Sequence, residues 1–291
     1  LTGGKLKIEK INILTEEQKN NIINLQKICN EFENLKAEVF LSNEINFDKE
    51  IPCFFLCYEK EELIAFLTAF LPTKEEGEIS AFTHPKYRKK GIFKKLFEES
   101  VEILRKNGIP KILFVTEPES NSSKEALKKI GKTRLIRSEY TMSYPKEKFQ
   151  ERNDEKRLKF EIVSEENKII YSQMTEEIFE MPEGTSLNFV ENAIKSFDRD
   201  AYIGYLNKEN IGIFNMNYTE DGVFLYGLGI RNIFKRKGYG KEIMNFALKK
   251  AFEKGDKAIL DVDSDNAPAY NLYKKLGFAI KFQADYYEYY I

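Results

Sequence analysis

The sequence has no tryptophan, a single histidine, His84, and only three cysteines, Cys29, Cys53 and Cys57, among 291 residues. One histidine excludes a metal site built from several histidines and leaves any Ser-His-Asp triad resting on one position. An odd set of cysteines without paired metal-ligand spacing reads as reduced packing residues, so no metal is expected. No run approaches the roughly 18 apolar residues that a membrane helix needs. No signal peptide is visible either. A cytoplasmic protein without a membrane partner is the expectation. Net charge is also lacking: 46 basic side chains against 47 acidic ones give −1. That balance excludes a global pull toward nucleic acid. Any anion binding must be local.

What the chain does have is one basic loop written twice. It reads Arg88-Lys89-Lys90-Gly91-Ile92-Phe93-Lys94 and again Lys235-Arg236-Lys237-Gly238-Tyr239-Gly240-Lys241. Each copy follows an apolar strand and opens an amphipathic helix. Backbone N–H groups point outward at such a helix start, and the helix dipole favours an anion there. The loop therefore reads as a phosphate site or, taken alone, as a helix cap with solvated lysines.

The two glycines lie 147 positions apart, and the flanking segments follow at that offset. Leu96, Phe97, Val101 and Leu104 map onto Ile243, Met244, Leu248 and Ala251, one helical face in each copy. The helices stop at Gly108 and Gly255. Short strands follow at Ile112–Thr116 and Ala258–Asp263. A second helix then ends at Gly131 or Gly277, which are 146 apart, so one residue has been gained or lost between. The order β-α-β-β-β-α-β-α-β, used twice, predicts an α/β chain of two domains. Each is a mixed, mostly antiparallel central sheet flanked by helices. The charged stretch from Pro145 to Arg157 marks the boundary, giving domains 1–148 and 149–291.

The second copy resembles the GNAT superfamily of acyl-CoA-dependent N-acyltransferases. That family's loop is Arg/Gln-x-x-Gly-x-Gly/Ala, here Lys235 through Gly240 with lysine in first place. Its downstream segment, Asn-x-x-Ala-x-x-Leu-Tyr-x-x-x-Gly-Phe, is Asn266 through Phe278. The first copy departs from the pattern. Phe93 replaces the second small residue, Ser120 stands opposite Asn266, and Leu127 opposite Tyr273. The whole chain is similar in layout, and in layout alone, to the mycothiol synthases.

The resemblance implies acetyl-CoA as cosubstrate and a primary amine of a small molecule or peptide as acceptor. The chain would act as a monomer or homodimer. Cofactor pyrophosphate would rest on Lys235, Arg236, Lys237, Gly238, Tyr239, Gly240 and Lys241. The pantetheine arm would pair with the backbone of Leu228 and Ile230, and Asn266 would add a hydrogen bond beyond its role as helix cap. Tyr273, two turns down the same helix face, would protonate the departing thiolate. For the general base Asp263 is favoured. Asp261 shares its strand face, Glu220 and Asp221 sit in a turn, and Glu78 is the first copy's candidate. The run Asp285–Tyr290 reads either as an acceptor-pocket wall or as an edge strand. Two other readings stay open: activity in the first copy, and a non-enzymatic CoA-binding module.

Overall fold

The computed structural model describes residues 6–150 and 157–291. The charged stretch read as a boundary lies partly outside them, at 151–156. The order of elements is that expected in the first half, and in the second it is the same with one further helix between the first two strands. In the first half it is β1 (Leu6–Ile11), α1 (Glu16–Glu33), β2 (Phe54–Glu59), β3 (Glu62–Phe70), β4 (Gly77–Thr83), α2 (Ile92–Lys106), β5 (Lys111–Thr116), α3 (Asn121–Ile130) and β6 (Arg134–Pro145). In the second it is β7 (Lys159–Ile162), α4 (Lys168–Phe179), α5 (Leu187–Lys195), β8 (Arg199–Leu206), β9 (Glu209–Thr219), β10 (Gly222–Ile230), α6 (Tyr239–Lys254), β11 (Lys257–Asp263), α7 (Ala267–Leu276) and β12 (Ala279–Tyr290). Among the described residues no helix is long and apolar enough to cross a membrane.

Packing divides the chain differently from the linear repeat. One compact unit is the chain up to Glu139 together with Gln283–Ile291, and the other is Tyr140–Phe282. The last residues therefore complete the first unit's sheet, with Asp285 through Tyr290 running antiparallel to Thr116 through Lys111. Asp285 is buried there and accepts hydrogen bonds from Ser138 (2.7 Å) and Gln283 (2.8 Å). Arg137 stacks on the Tyr286 ring at 3.6 Å. The Asp285–Tyr290 run is thus a strand of the first unit, paired with β5, with Asp285, Tyr286 and Glu288 buried.

The first unit orders its strands β1-β2-β3-β4-β5-β12, antiparallel except for β4 beside β5. The second orders β6-β11-β10-β9-β8-β7, with β10 parallel to β11. In each, the parallel pair soon separates. Ladder pairing holds only at Gly77–Ile112, Glu78–Leu113 and Ile79–Phe114 in the first unit, and at Val223–Ala258 and Phe224–Ile259 in the second. In the second unit a cavity opens between the two strands beyond those rungs.

Helices α2 and α6 fix that geometry by burying one face. Ile243, Met244, Ala247, Leu248 and Ala251 of α6 pack against Val223, Leu225, Leu260 and Val262. Leu96, Phe97, Val101 and Leu104 of α2 pack with Ile79, Ile112 and Phe114. Each fully buried Leu, Ile or Phe contributes roughly 1.5–3 kcal/mol. The three cysteines are buried and unbridged, as their spacing suggested. Burial pushes the Cys53 thiol up to about 11.

Candidate active site

The two basic loops have the same backbone. Lys89 (φ 63°) and Gly91 (φ 80°) adopt the left-handed region, and so do Arg236 (φ 63°) and Gly238 (φ 88°), their partners at the 147 offset. Lysine sits over a ring in both, Lys90 over Tyr87 at 4.8 Å and Lys237 over Phe234 at 5.4 Å. Neither α2 nor α6 has a side-chain cap. The first N–H groups of both helices are thus left for an external acceptor, the requirement of a phosphate cradle.

What surrounds the loops differs. In the second unit Lys235, Arg236 and Lys237 are exposed. Arg157 stacks on Tyr239 at 4.5 Å, donates to the Lys237 carbonyl at 3.2 Å and pairs with Glu242. In the first unit the family's leading basic residue, Arg88, is half-buried and held by the Glu33 carboxylate at 2.6 Å. Glu33 also accepts from the Ser120 and Ser122 hydroxyls (3.0 and 2.9 Å) and from the Ser122 N–H (3.2 Å). An internal carboxylate therefore joins the loop after β4 to the start of α3. Glu117, at the end of β5, accepts from the N–H groups of Lys36 and Ala37. Phe93, where Gly240 stands in the second unit, stacks on Phe97 at 6.1 Å.

The strands that enter the loops differ as well. The register of β3 with β4 runs unbroken from Phe70–Glu78 to Ala65–Thr83. That of β9 with β10 slips between Tyr226 and Gly229. The extra residue is a β-bulge with Gly227 at φ 57°. Gly229, the next glycine of the strand, is not the bulge residue. Gly229 instead meets α4 closely: a Cβ there would lie 2.3 Å from Ile178. The bulge is braced by Asn215, whose Nδ2 donates to the Tyr226 carbonyl at 3.4 Å while its Oδ1 accepts from the buried Tyr171 hydroxyl at 2.7 Å. Thr68 stands at the matching register position of β3.

The bulge opens into a cavity of about 190 Å³ between β10 and β11. Leu228, Asp263, Asn266 and Tyr273, all singled out from sequence, line it together with Phe179, Phe214, Tyr226, Gly227 and Asp261. Ile230 is not in the lining; its Cδ1 packs where a Gly240 Cβ would point, at 3.4 Å. The loop Lys235–Lys241 stands at the start of α6, outside the lining. Asn266 caps α7 by accepting from the Ala269 N–H at 3.3 Å. Tyr273 is buried, and desolvation pushes its hydroxyl up to about 12. Asp263 accepts from the Asp265 N–H at 2.9 Å. Asp261 accepts from the Thr141 hydroxyl at 2.6 Å, and desolvation by the surrounding protein raises its carboxyl although the residue is exposed. Glu220 and Asp221 lie in the β9–β10 turn. Sequence reasoning missed Phe179 and Tyr226, whose positions depend on helix packing and on the bulge.

A duplicated α/β unit with a basic, uncapped loop beside a splayed strand pair defines a tandem acyl-transfer fold. The profile of the acetyltransferase (GNAT) family matches the chain twice, over residues 19–131 and 134–278. The chain belongs to that family of acyltransferase enzymes, which use acyl-CoA as cosubstrate. Solved structures agree on the fold. A GCN5-related N-acetyltransferase from Sphaerobacter thermophilus is 14% identical with a TM-score of 0.78, over 98% of this chain and 95% of that one. A tandem GNAT protein from the clavulanic acid biosynthesis pathway is 11% identical with a TM-score of 0.69, over 98% of each. A GNAT-family acetyltransferase from Colwellia psychrerythraea is 14% identical with a TM-score of 0.66, over 97% and 99%. No curated protein matches the sequence. Among the described residues no cluster of histidine, cysteine and acidic side chains is arranged to hold a metal ion.

Proposed function

We propose that the second half, 149–291 in the linear repeat, transfers an acetyl group from acetyl-CoA to a primary amine of a small molecule or peptide. The observation that carries this reading is the cavity between β10 and β11, lined by Tyr273, Asn266 and Asp263 and opened by the Gly227 bulge. The residues fit the cosubstrate. The backbone N–H groups of Tyr239, Gly240 and Lys241, with the charge of Lys235, Arg236 and Lys237 and the left-handed turn at Gly238, suit a pyrophosphate. The outward turn of the bulge leaves backbone near Leu228 and Ile230 for the pantetheine arm. The bound thioester supplies an already activated acyl carbon.

The chain's own residues then have three tasks. The cleft holds the amine against the acyl carbon, where orientation alone supplies much of the acceleration. Asp263 receives the ammonium end of the acceptor. Tyr273 donates a hydrogen bond to the departing sulfur. With the buried phenol near 12 and an ordinary thiol near 8.5, full proton transfer from Tyr273 to such a thiol would be uphill by about 5 kcal/mol. Desolvation of a bound thiol would raise it too and narrow that gap. A cytoplasmic setting, as monomer or homodimer, and the absence of nucleic-acid and membrane partners belong to the same reading.

Incubating the protein with acetyl-CoA and primary amines while following thiol release tests it. Amine-dependent release is expected, and release that no primary amine stimulates would sink it.

A further inference from the structure

The cavity lining pairs two carboxylates, Asp261 and Asp263, with an apolar and aromatic wall of Phe179, Phe214, Tyr226, Leu228 and Tyr273. Among the described residues no lysine, arginine or histidine lines it. Residues 259, 261 and 263 alternate along β11 and so share one face. Phe224 and Tyr226 share one face of β10 and stack at 6.2 Å with their planes 27° apart, carrying the aromatic surface along the strand. The two carboxylates differ in what holds them. Asp263 uses Oδ1 to accept the Asp265 backbone N–H, so it also serves as a turn anchor. Asp261 is steadied by a hydroxyl, that of Thr141, through one oxygen. Its exposure connects it to solvent.

We propose that Asp261 is the proton acceptor for the incoming amine, and that the acceptor is a primary amine with an apolar or aromatic body and no carboxylate beside its amino group. The proposal rests on acetyl transfer in the second unit. The ammonium gives one proton to Asp261, which passes it to water. The freed lone pair forms the N–C bond to the acyl carbon as the C–S bond breaks and its electron pair leaves with sulfur. The second nitrogen proton replaces the one sulfur takes, with Tyr273 as donor, so the products are the amide, the thiol and one proton in solution. A carboxylate beside the amino group would be driven against Asp261 and Asp263 with no cation in the lining to receive it, and like charges at such range are mutually unfavourable. In the first unit the register position of Asp261 is held by Val115, so that unit lacks a carboxylate at this position.

The test uses the full chain, acetyl-CoA, and two probes with the same body, phenethylamine and L-phenylalanine. The expected kcat/KM for phenethylamine is about 100-fold or more above that for phenylalanine. Asp261→Asn should lower kcat about 100-fold and abolish the acid limb of the pH–rate profile, the range expected for loss of a general base. Asp263→Asn should keep that limb. Thr141→Val, which removes a hydrogen bond to the charged carboxylate, should shift the limb to higher pH; a purely structural role would leave it in place. The other titratable groups of the lining are Asp263 and the phenols of Tyr226 and Tyr273. An acid limb that survives in Asp261→Asn or disappears only in Asp263→Asn overturns the base, and equal use of the two probes, or of neither, overturns the acceptor class. Calorimetric binding of acetyl-CoA separates the two levels. Loss of binding to wild type sinks the proposed function, whereas binding with the wrong probe preference sinks only this inference.

Discussion

The two units carry one loop backbone and two different surroundings. Lys89 and Gly91 repeat the left-handed φ values of Arg236 and Gly238, and both helices start uncapped. Around the first loop, Glu33 neutralises Arg88, Phe93 fills the position of Gly240, β4 runs without a bulge, and Leu127 replaces Tyr273. Around the second, the loop cations are exposed and the bulge opens a cavity lined by Asp261 and Tyr273. A phosphate cradle is thus a property of a short turn, and it survives duplication easily. An acyl-transfer cleft needs long-range agreement between a strand irregularity, a following strand and a second helix, and that agreement is found in one unit.

The sharpest way to break the comparison is to place a carboxylate in each loop. Gly238→Glu and Gly91→Glu impose the same left-handed strain, about 1–3 kcal/mol, and open space surrounds Gly91. They differ in what they should do to ligand. Gly238→Glu is expected to weaken acetyl-CoA binding at least about 100-fold, since it sets a negative charge where pyrophosphate meets helix N–H groups. Gly91→Glu should leave the titration within about twofold of wild type. Equal losses would mean that both loops bind, and loss in Gly91→Glu alone would reverse the assignment.

The next effect lies in the chemistry. Tyr273→Phe should cut turnover about 10- to 100-fold, the scale of one lost proton donor, with the acetyl-CoA dissociation constant nearly unchanged. Because burial holds the Tyr273 hydroxyl near 12, its proton stays on through the whole working range. Wild type should therefore show no alkaline loss of kcat from this group below about pH 10, the ordinary phenol value. The sign for stability follows. The unfolded phenol ionises near 10 and the folded one near 12, so the contribution is intact below pH 10 and lost as pH rises from 10 toward 12. A thermal-unfolding series at pH 8, 10 and 11 on wild type and Tyr273→Phe reads this directly: the variant should lose less stability over that range.

Much of this was legible in the chain. The paired loops, the Asn266–Phe278 segment and the alternating elements all follow from local pattern, and local pattern is what sequence displays. Helix α1 starts where Thr15 and Gln18 form a reciprocal cap, for instance, and α7 where Asn266 precedes Pro268. The sequence reading also placed one residue gained or lost after the loops. The structure adds a compensating one before them: Gly77 and Val223 are equivalent in register at an offset of 146, the loops at 147, and the bulge at Gly227 accounts for the step. A bulge depends on cross-strand pairing, and a strand with three glycines between Gly222 and Gly229 leaves its location open. The last strand was equally hidden. Nothing local in Asp285–Tyr290 tells that it completes the unit that begins the chain.

The smallest expected effect gives the comparison its finest edge. Glu33 and Arg88 form a pair with side chains only 10% and 19% exposed, and Glu33 also holds Ser120 and Ser122. Glu33→Gln keeps shape and some hydrogen bonds while leaving Arg88 without its counter-charge. A cost of about 1–3 kcal/mol is expected, measured by denaturant unfolding. If Glu33 alone kept the first cleft from binding, the variant would gain a second acetyl-CoA site. The unbulged β4, Phe93 and Leu127 argue that it will not: removing an internal carboxylate restores charge to the loop but neither the opening between β4 and β5 nor the room that Gly240 gives. Stoichiometry by calorimetry should therefore stay at one per chain. A rise to two would show that a single long-range ion pair, rather than the whole remodelled cleft, separates the silent copy from the working one.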